Sequence, residues 1–212
     1  MKYKPKSYIL PTIYLLFLFV ITAGIYFTKK TYDSYEKEEF DNITFVSNSI
    51  FDRSIPVIST NVNNNNIQKP FINDDVTIAR YYYNKNADIE TKEKAIVFYE
   101  GTYMPNTGID YISDRVFDVV SIFDGTVVEI EDNEILGKTI KIRHNGDIVS
   151  VYQGLGNIDI QQGDMVFIGQ KIGTSGTNKI NKDLGNHLHF EIYKNGGTIN
   201  PLECFDKNIG DI

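Results

Sequence analysis

IKIRHNGDIVSVY, residues 140–152, sets apolar side chains at Ile140 and Ile142 and again from Ile148 onward, with Asn145-Gly146 between the two runs. A period of two is what a half-buried strand requires, and Asn-Gly between two such runs is the strongest short signal for a β-hairpin. Outward from this stretch the same texture repeats. VTIARYYY (76–83), KAIVFYEG (94–101), DGTVVEIED (124–132), KTIKIRH (138–144), DIVSVYQGL (147–155), DMVFIGQKIG (164–173) and HLHFEIYKNG (187–196) read as strands rich in β-branched and aromatic residues. Gln162-Gly163-Asp164 and Asn195-Gly196-Gly197 mark further turns. No amphipathic helical stretch of comparable clarity interrupts them, so the fold class is mainly β, an antiparallel β-sheet domain.

The N-terminal part reads differently. Between Lys6 and Lys29 lie 22 uncharged residues, SYILPTIYLLFLFVITAGIYFT. As a helix they would span about 33 Å, enough for a hydrocarbon core of roughly 30 Å. A cleaved signal peptide is the rival reading, but the apolar core is long for one and no small-x-small cleavage site follows it. The expected organisation is a cytoplasmic tail (1–6), a single-pass transmembrane helix (7–28), an extracytoplasmic linker (29–69), a packed domain (70–205) and a C-terminal tail (206–212). Within the linker, STNVNNNNIQK (59–69) holds five asparagines and no hydrophobic rhythm.

Composition narrows the function classes. Of 21 Lys and Arg, five fall in residues 1–30, which contain no acid. The remainder carries 16 basic against 28 acidic residues, a formal −12. Such a body is repelled by phosphate backbones, which argues against nucleic acid and fits a soluble domain or a basic protein partner. Cys204 is the only cysteine, so no intrachain disulfide and no thiolate zinc cluster can form.

GIDY (108–111), DGTVVEI (124–130), IKIRHNGDIVSVY (140–152), QQGDMVFIGQKIGTSGT (161–177) and HLHFEIYKNGGTINP (187–201) together resemble, in order, the LytM or lysostaphin-like M23 metallopeptidase domain. That family's resemblance implies a zinc held by the histidine and aspartate of an H-x-G-x-D element and by the second histidine of H-x-H. Those positions are Asn106, Asp110 and His189 here. It also implies two assisting histidines, at His187 and within a Y-x-H-L element that reads Tyr152-Gln153-Gly154-Leu155. His144 has no part in the pattern. The ligand set is therefore short of an imidazole at Asn106, and glycine stands at position 154 where a proton carrier would be. A catalytic zinc needs three protein ligands and one open position, and an amide oxygen is a poor substitute for imidazole. Asp110, His187 and His189 are read as vestigial, no cofactor is expected beyond weak residual zinc, and on ligand counting alone Asn106→His should raise zinc affinity.

The anchor, the missing histidines, and the upstream stretches KPFINDDVTIARYYY (69–83) and AIVFYEGTYMPNTGIDY (95–111) resemble a membrane-anchored sporulation branch of this family. What that resemblance implies is a pseudoenzyme scaffold in the forespore membrane, its domain facing the intermembrane space and binding stage III sporulation protein AH. Two alternatives stand beside it: an active zinc endopeptidase with an unusual ligand set, and a peptidoglycan-binding or hydrolase-activating module working through the leftover groove.

Overall fold

The computed structural model describes residues 22–24, 26–28 and 66–212. The chain divides into two units, Met1–Ser47 and Asn48–Ile212. In the first unit, 22–24 and 26–28 are helical, and the Thr28 hydroxyl donates to the Gly24 carbonyl at 2.9 Å. The rest of the expected tail and span, and linker residues 29–65, lie outside the described residues. Among the described residues no helix is long and apolar enough to cross a membrane.

Twelve strands are described in the second unit: β1 (Thr77–Arg80), β2 (Ile96–Tyr99), β3 (Thr102–Pro105), β4 (Ile109–Ile112), β5 (Asp118–Val120), β6 (Gly125–Asn133), β7 (Gly137–Arg143), β8 (Ile148–Ile158), β9 (Met165–Val166), β10 (Lys171–Ser175), β11 (His187–Lys194) and β12 (Gly197–Ile199). Ten form one antiparallel sheet ordered β1-β4-β11-β8-β7-β6-β9, with β10 joining β5 to β8 and β12 extending β11; β2 and β3 pair as a separate hairpin. One helix, α1 (Ile89–Glu93), precedes that hairpin, capped by Asp88, whose carboxylate accepts from Thr91 N. At five residues it is too short to carry a sequence periodicity.

The central hairpin forms as expected, with Arg143 opposite Val149. Its loop is three residues long, because His144 N bonds to Ile148 O and the left-handed conformations fall on Gly146 and Asp147. In the β2–β3 hairpin Tyr99 faces Thr102, and Glu100 and Gly101 both have positive φ, the signature of a two-residue type I′ turn. Two expected strands are shorter or split. Sheet pairing of VTIARYYY ends at Arg80, and DMVFIGQKIG turns at Gly169 into β9 and β10.

The core lies on one face of the sheet. Ile109 and Tyr111, Leu188, Phe190 and Ile192, Ile148 and Tyr152, and Ile140 and Ile142 alternate inward and meet Phe117, Val119, Ile122 and Ile172. Each such side chain contributes roughly 1.5–3 kcal/mol by leaving water. The packed region runs beyond the expected bounds of 70–205 at both ends. Ile67 is in the core, its N bonds to Lys207 O, Asp206 N returns to Ile67 O, and Ile209 and Ile212 pack on the same cluster. Residues 206–212 are therefore part of the domain. Ile209 and Ile212 carry no strand or helix period that would have announced this packing.

His144 belongs to this scaffold. Its Nδ1 donates to Asp124 O at 2.9 Å, so in the neutral ring Nε2 accepts from the Ser150 hydroxyl at 2.7 Å. Burial pushes its pKa down to about 4.

Candidate functional site

The site lies on the face opposite the core, where register lines up a row of side chains across neighbouring strands. Arg80 on β1 faces Asp110 on β4, Asp110 faces His189 on β11, and His189 faces Gln153 on β8. Gly108 lets this row close up. A Cβ there would lie 2.2 Å from Phe190 O and 2.8 Å from the Glu191 side chain.

Asp110 is fully buried and accepts hydrogen bonds on both oxygens. Oδ1 takes His189 Nδ1 at 2.7 Å and Asn181 Nδ2 at 3.2 Å; Oδ2 takes Arg80 at 2.9 Å. On the far side of the imidazole, His189 Nε2 meets Glu191 Oε1 at 3.1 Å, and the Thr107 hydroxyl donates to that same oxygen. Burial alone would push the His189 pKa down, but the Asp110 charge and hydrogen bond, with Glu191 behind them, raise it to about 10. Burial likewise opposes ionisation of Asp110, and the charges of His189 and Arg80 outweigh it and hold its carboxyl below the usual range. Two cations, Arg80 and His189, thus stand against two carboxylates in a site that is electrically closed.

Asn106 sits just after β3, pinned by Asn106 N to Ala95 O and Tyr83 N to Asn106 O. Its amide nitrogen donates to two backbone carbonyls, Tyr81 O at 3.1 Å and Gly108 O at 3.0 Å, and lies 3.5 Å from Asp110 Oδ2. Carbonyls can only accept, so the side of Asn106 turned toward Asp110 carries hydrogens and no lone pair. His187, two residues before His189 on the same face, donates from Nδ1 to Gly185 O at 2.8 Å, and burial lowers its pKa. Gly154 has φ +75, and a Cβ there would lie 3.2 Å from Asn178 Nδ2 and 3.3 Å from His187 Nε2. The space beside the glycine is flanked by Asn178.

The fold family implies a zinc, and the residues present do not fit one. Zinc holds nitrogen and oxygen donors at about 2.0–2.2 Å. Here the two would-be ligands, Asp110 and His189, are bonded to each other, Asp110 and Glu191 sit on opposite nitrogens of the ring, and a guanidinium covers the second Asp110 oxygen. The structure thus brings Asn106, Asp110 and His189 together, with His187 and Gly154 adjoining one another beside Asn178.

Sequence reasoning missed Arg80, Asn181, Glu191 and Thr107. Glu191 was within reach, since residues i and i+2 share a face and HLHFE is H-x-H-x-E. Arg80 carried no such signal.

The opposed titrations of His189 on one side and His144, with His187 shifted in the same direction, on the other set a pH profile. Below the ordinary imidazole value of 6.5, folded and unfolded chains both hold the His189 proton; between about 6.5 and 10 only the folded chain does, so stability falls as pH rises. His144 acts in the other direction, because between about 6.5 and 4 the unfolded chain takes up a proton that the folded one refuses. The groups facing His189 are Asp110 from β4, Arg80 from β1, and Glu191 and His187 from its own strand. Urea midpoints should be highest near pH 6.5 and decline on both sides; a flat profile from pH 6.5 to 9 would contradict the His189 assignment.

Residues 104–201 match Peptidase family M23. Over 211 residues the chain is 34% identical to stage II sporulation protein Q of Bacillus subtilis, covering 98% of this chain and 74% of that protein. It superposes with a TM-score of 0.67 and 38% identity on a chain in the structure of the SpoIIQ–SpoIIIAH pore forming complex, covering 69% of this chain and 94% of that one. A zinc containing peptidase from Vibrio cholerae shares the fold at a TM-score of 0.52 and 23% identity, over 64% of this chain and 39% of that one.

Proposed function

Because the chain belongs to the family of stage II sporulation protein Q and carries a Peptidase family M23 domain, we propose that it is a non-catalytic scaffold which binds stage III sporulation protein AH across the forespore intermembrane space. The likeness to a chain solved in complex with SpoIIIAH supports the partner. In this reading residues 7–28 anchor the chain in the forespore membrane, and the domain faces away from the cytoplasm.

The observation that carries the non-catalytic half is the state of Asp110. Both its oxygens are engaged by Arg80, His189 and Asn181. Hydrolysis by this fold would need a Lewis acid that lowers the pKa of a bound water toward about 7, and an adjacent proton carrier. The first would require Asp110 and His189 to separate, and of the two assisting positions only His187 keeps an imidazole, the other being Gly154. What remains is a rigid sheet with a buried, charge-balanced row, a stable surface for docking.

Full-length chain in detergent micelles is expected to retain the extracytoplasmic domain of stage III sporulation protein AH from the same organism on an affinity column. It is expected to release no soluble muropeptides from purified murein. Release that a chelator abolishes would overturn the reading.

A further inference from the structure

Arg80 is built into the site. Its side chain is only 12% exposed, and one nitrogen reaches both Asp110 Oδ2 at 2.9 Å and Asn181 Oδ1 at 2.7 Å, while the other lies 3.4 Å from Asp183. Asn181 Nδ2 returns to Asp110 Oδ1, closing a ring of three side chains. A break in register delivers the guanidinium. Ile78 faces Tyr111 on the core side, and simple alternation would put Arg80 on that side too. The register shifts between Ile78 and Arg80, so that Arg80 faces Asp110 on the other side.

We propose that Arg80 takes the place of the metal in this fold, its guanidinium occupying the carboxylate that a zinc would share and excluding divalent cations from the site. The inference rests on the non-catalytic reading and deepens it, since the site is then closed by a resident cation as well as short of a ligand. It changes the expectation from ligand counting: restoring imidazole at position 106 leaves Arg80 in place. A unit charge at about 4–6 Å shifts a proton affinity by roughly ten- to a thousandfold, and a divalent ion feels it more strongly.

Zinc affinity measured by competition with a chromophoric chelator, on the full chain in micelles, tests this. Asn106→His and Asn106→His/Arg80→Lys should bind zinc within about tenfold of the unmodified chain, whereas Asn106→His/Arg80→Gln, which keeps a donor for Asp110 but drops the charge, should bind at least a hundredfold tighter. If the Gln variant folds only with zinc in the buffer, the proposal is supported, because metal binding is then supplying folding free energy. It is overturned if Asn106→His alone binds as tightly as the Gln double variant, if the folded Gln variant gains no zinc, or if that variant fails to fold even with zinc. Those three results leave the non-catalytic reading standing. Equally tight zinc in the unmodified chain would overturn both.

Discussion

Asp110→Ala should lower the unfolding free energy by about 3–5 kcal/mol, the usual cost of removing one partner from a buried ion pair. The loss is large because the substitution leaves two cations behind. Arg80 and His189 both point at the vacated space with side chains 12% and 7% exposed, and beside them remain Asn181, Glu191 and, at 3.4 Å from Arg80, the solvent-exposed Asp183. His189 would then lose its main reason for holding a proton above neutral pH. The decline in stability on the alkaline side should therefore weaken in the same variant. Urea unfolding measures both, with a midpoint shift of roughly 2 M at pH 6.5 for a slope of about 2 kcal/mol per M. A loss below about 1 kcal/mol would show that Asp110 is not the charge that organises the row.

Gly108→Ala should be as damaging by a different route, about 3 kcal/mol or more, since overpacking usually costs about 1–3 and this contact is with backbone. The added methyl would lie 2.2 Å from Phe190 O, and neither β4 nor β11 can rotate a carbonyl out of the ladder to make room. The strands must part at the point where they set Asp110 against His189. Gly197→Ala is the control, because its nearest neighbour is 3.9 Å away and the change should move the urea midpoint little. Equal effects at the two positions would sink the argument from contact.

Much of this was legible from single residues. The hairpin at 140–152 followed from alternation and an Asn-Gly pair, and the absent ligand and absent proton carrier followed from the identities Asn106 and Gly154. The direction of the Asn106 amide was not legible, because it depends on two carbonyls, Gly108 O in the turn before β4 and Tyr81 O in the segment after β1, 25 residues away. The five-residue α1 and the two-residue β9 were too short to leave a period, and the attachment of residues 206–212 to the domain depended on backbone pairing with Ile67, far upstream.

Amino-acid order by itself determined the class of fold and which donor atoms stand at the family's metal positions, since both rest on local properties: the period of apolar side chains and the atoms each residue carries. The resident cation was decided only by tertiary structure. Arg80 lies 30 residues from Asp110 and 101 from Asn181, on a strand whose alternation would turn it toward the core. A single irregularity in the pairing of β1 with β4 reverses its face, and pairing between distant strands is set by the packing of the whole sheet rather than by the residues on either side of the arginine.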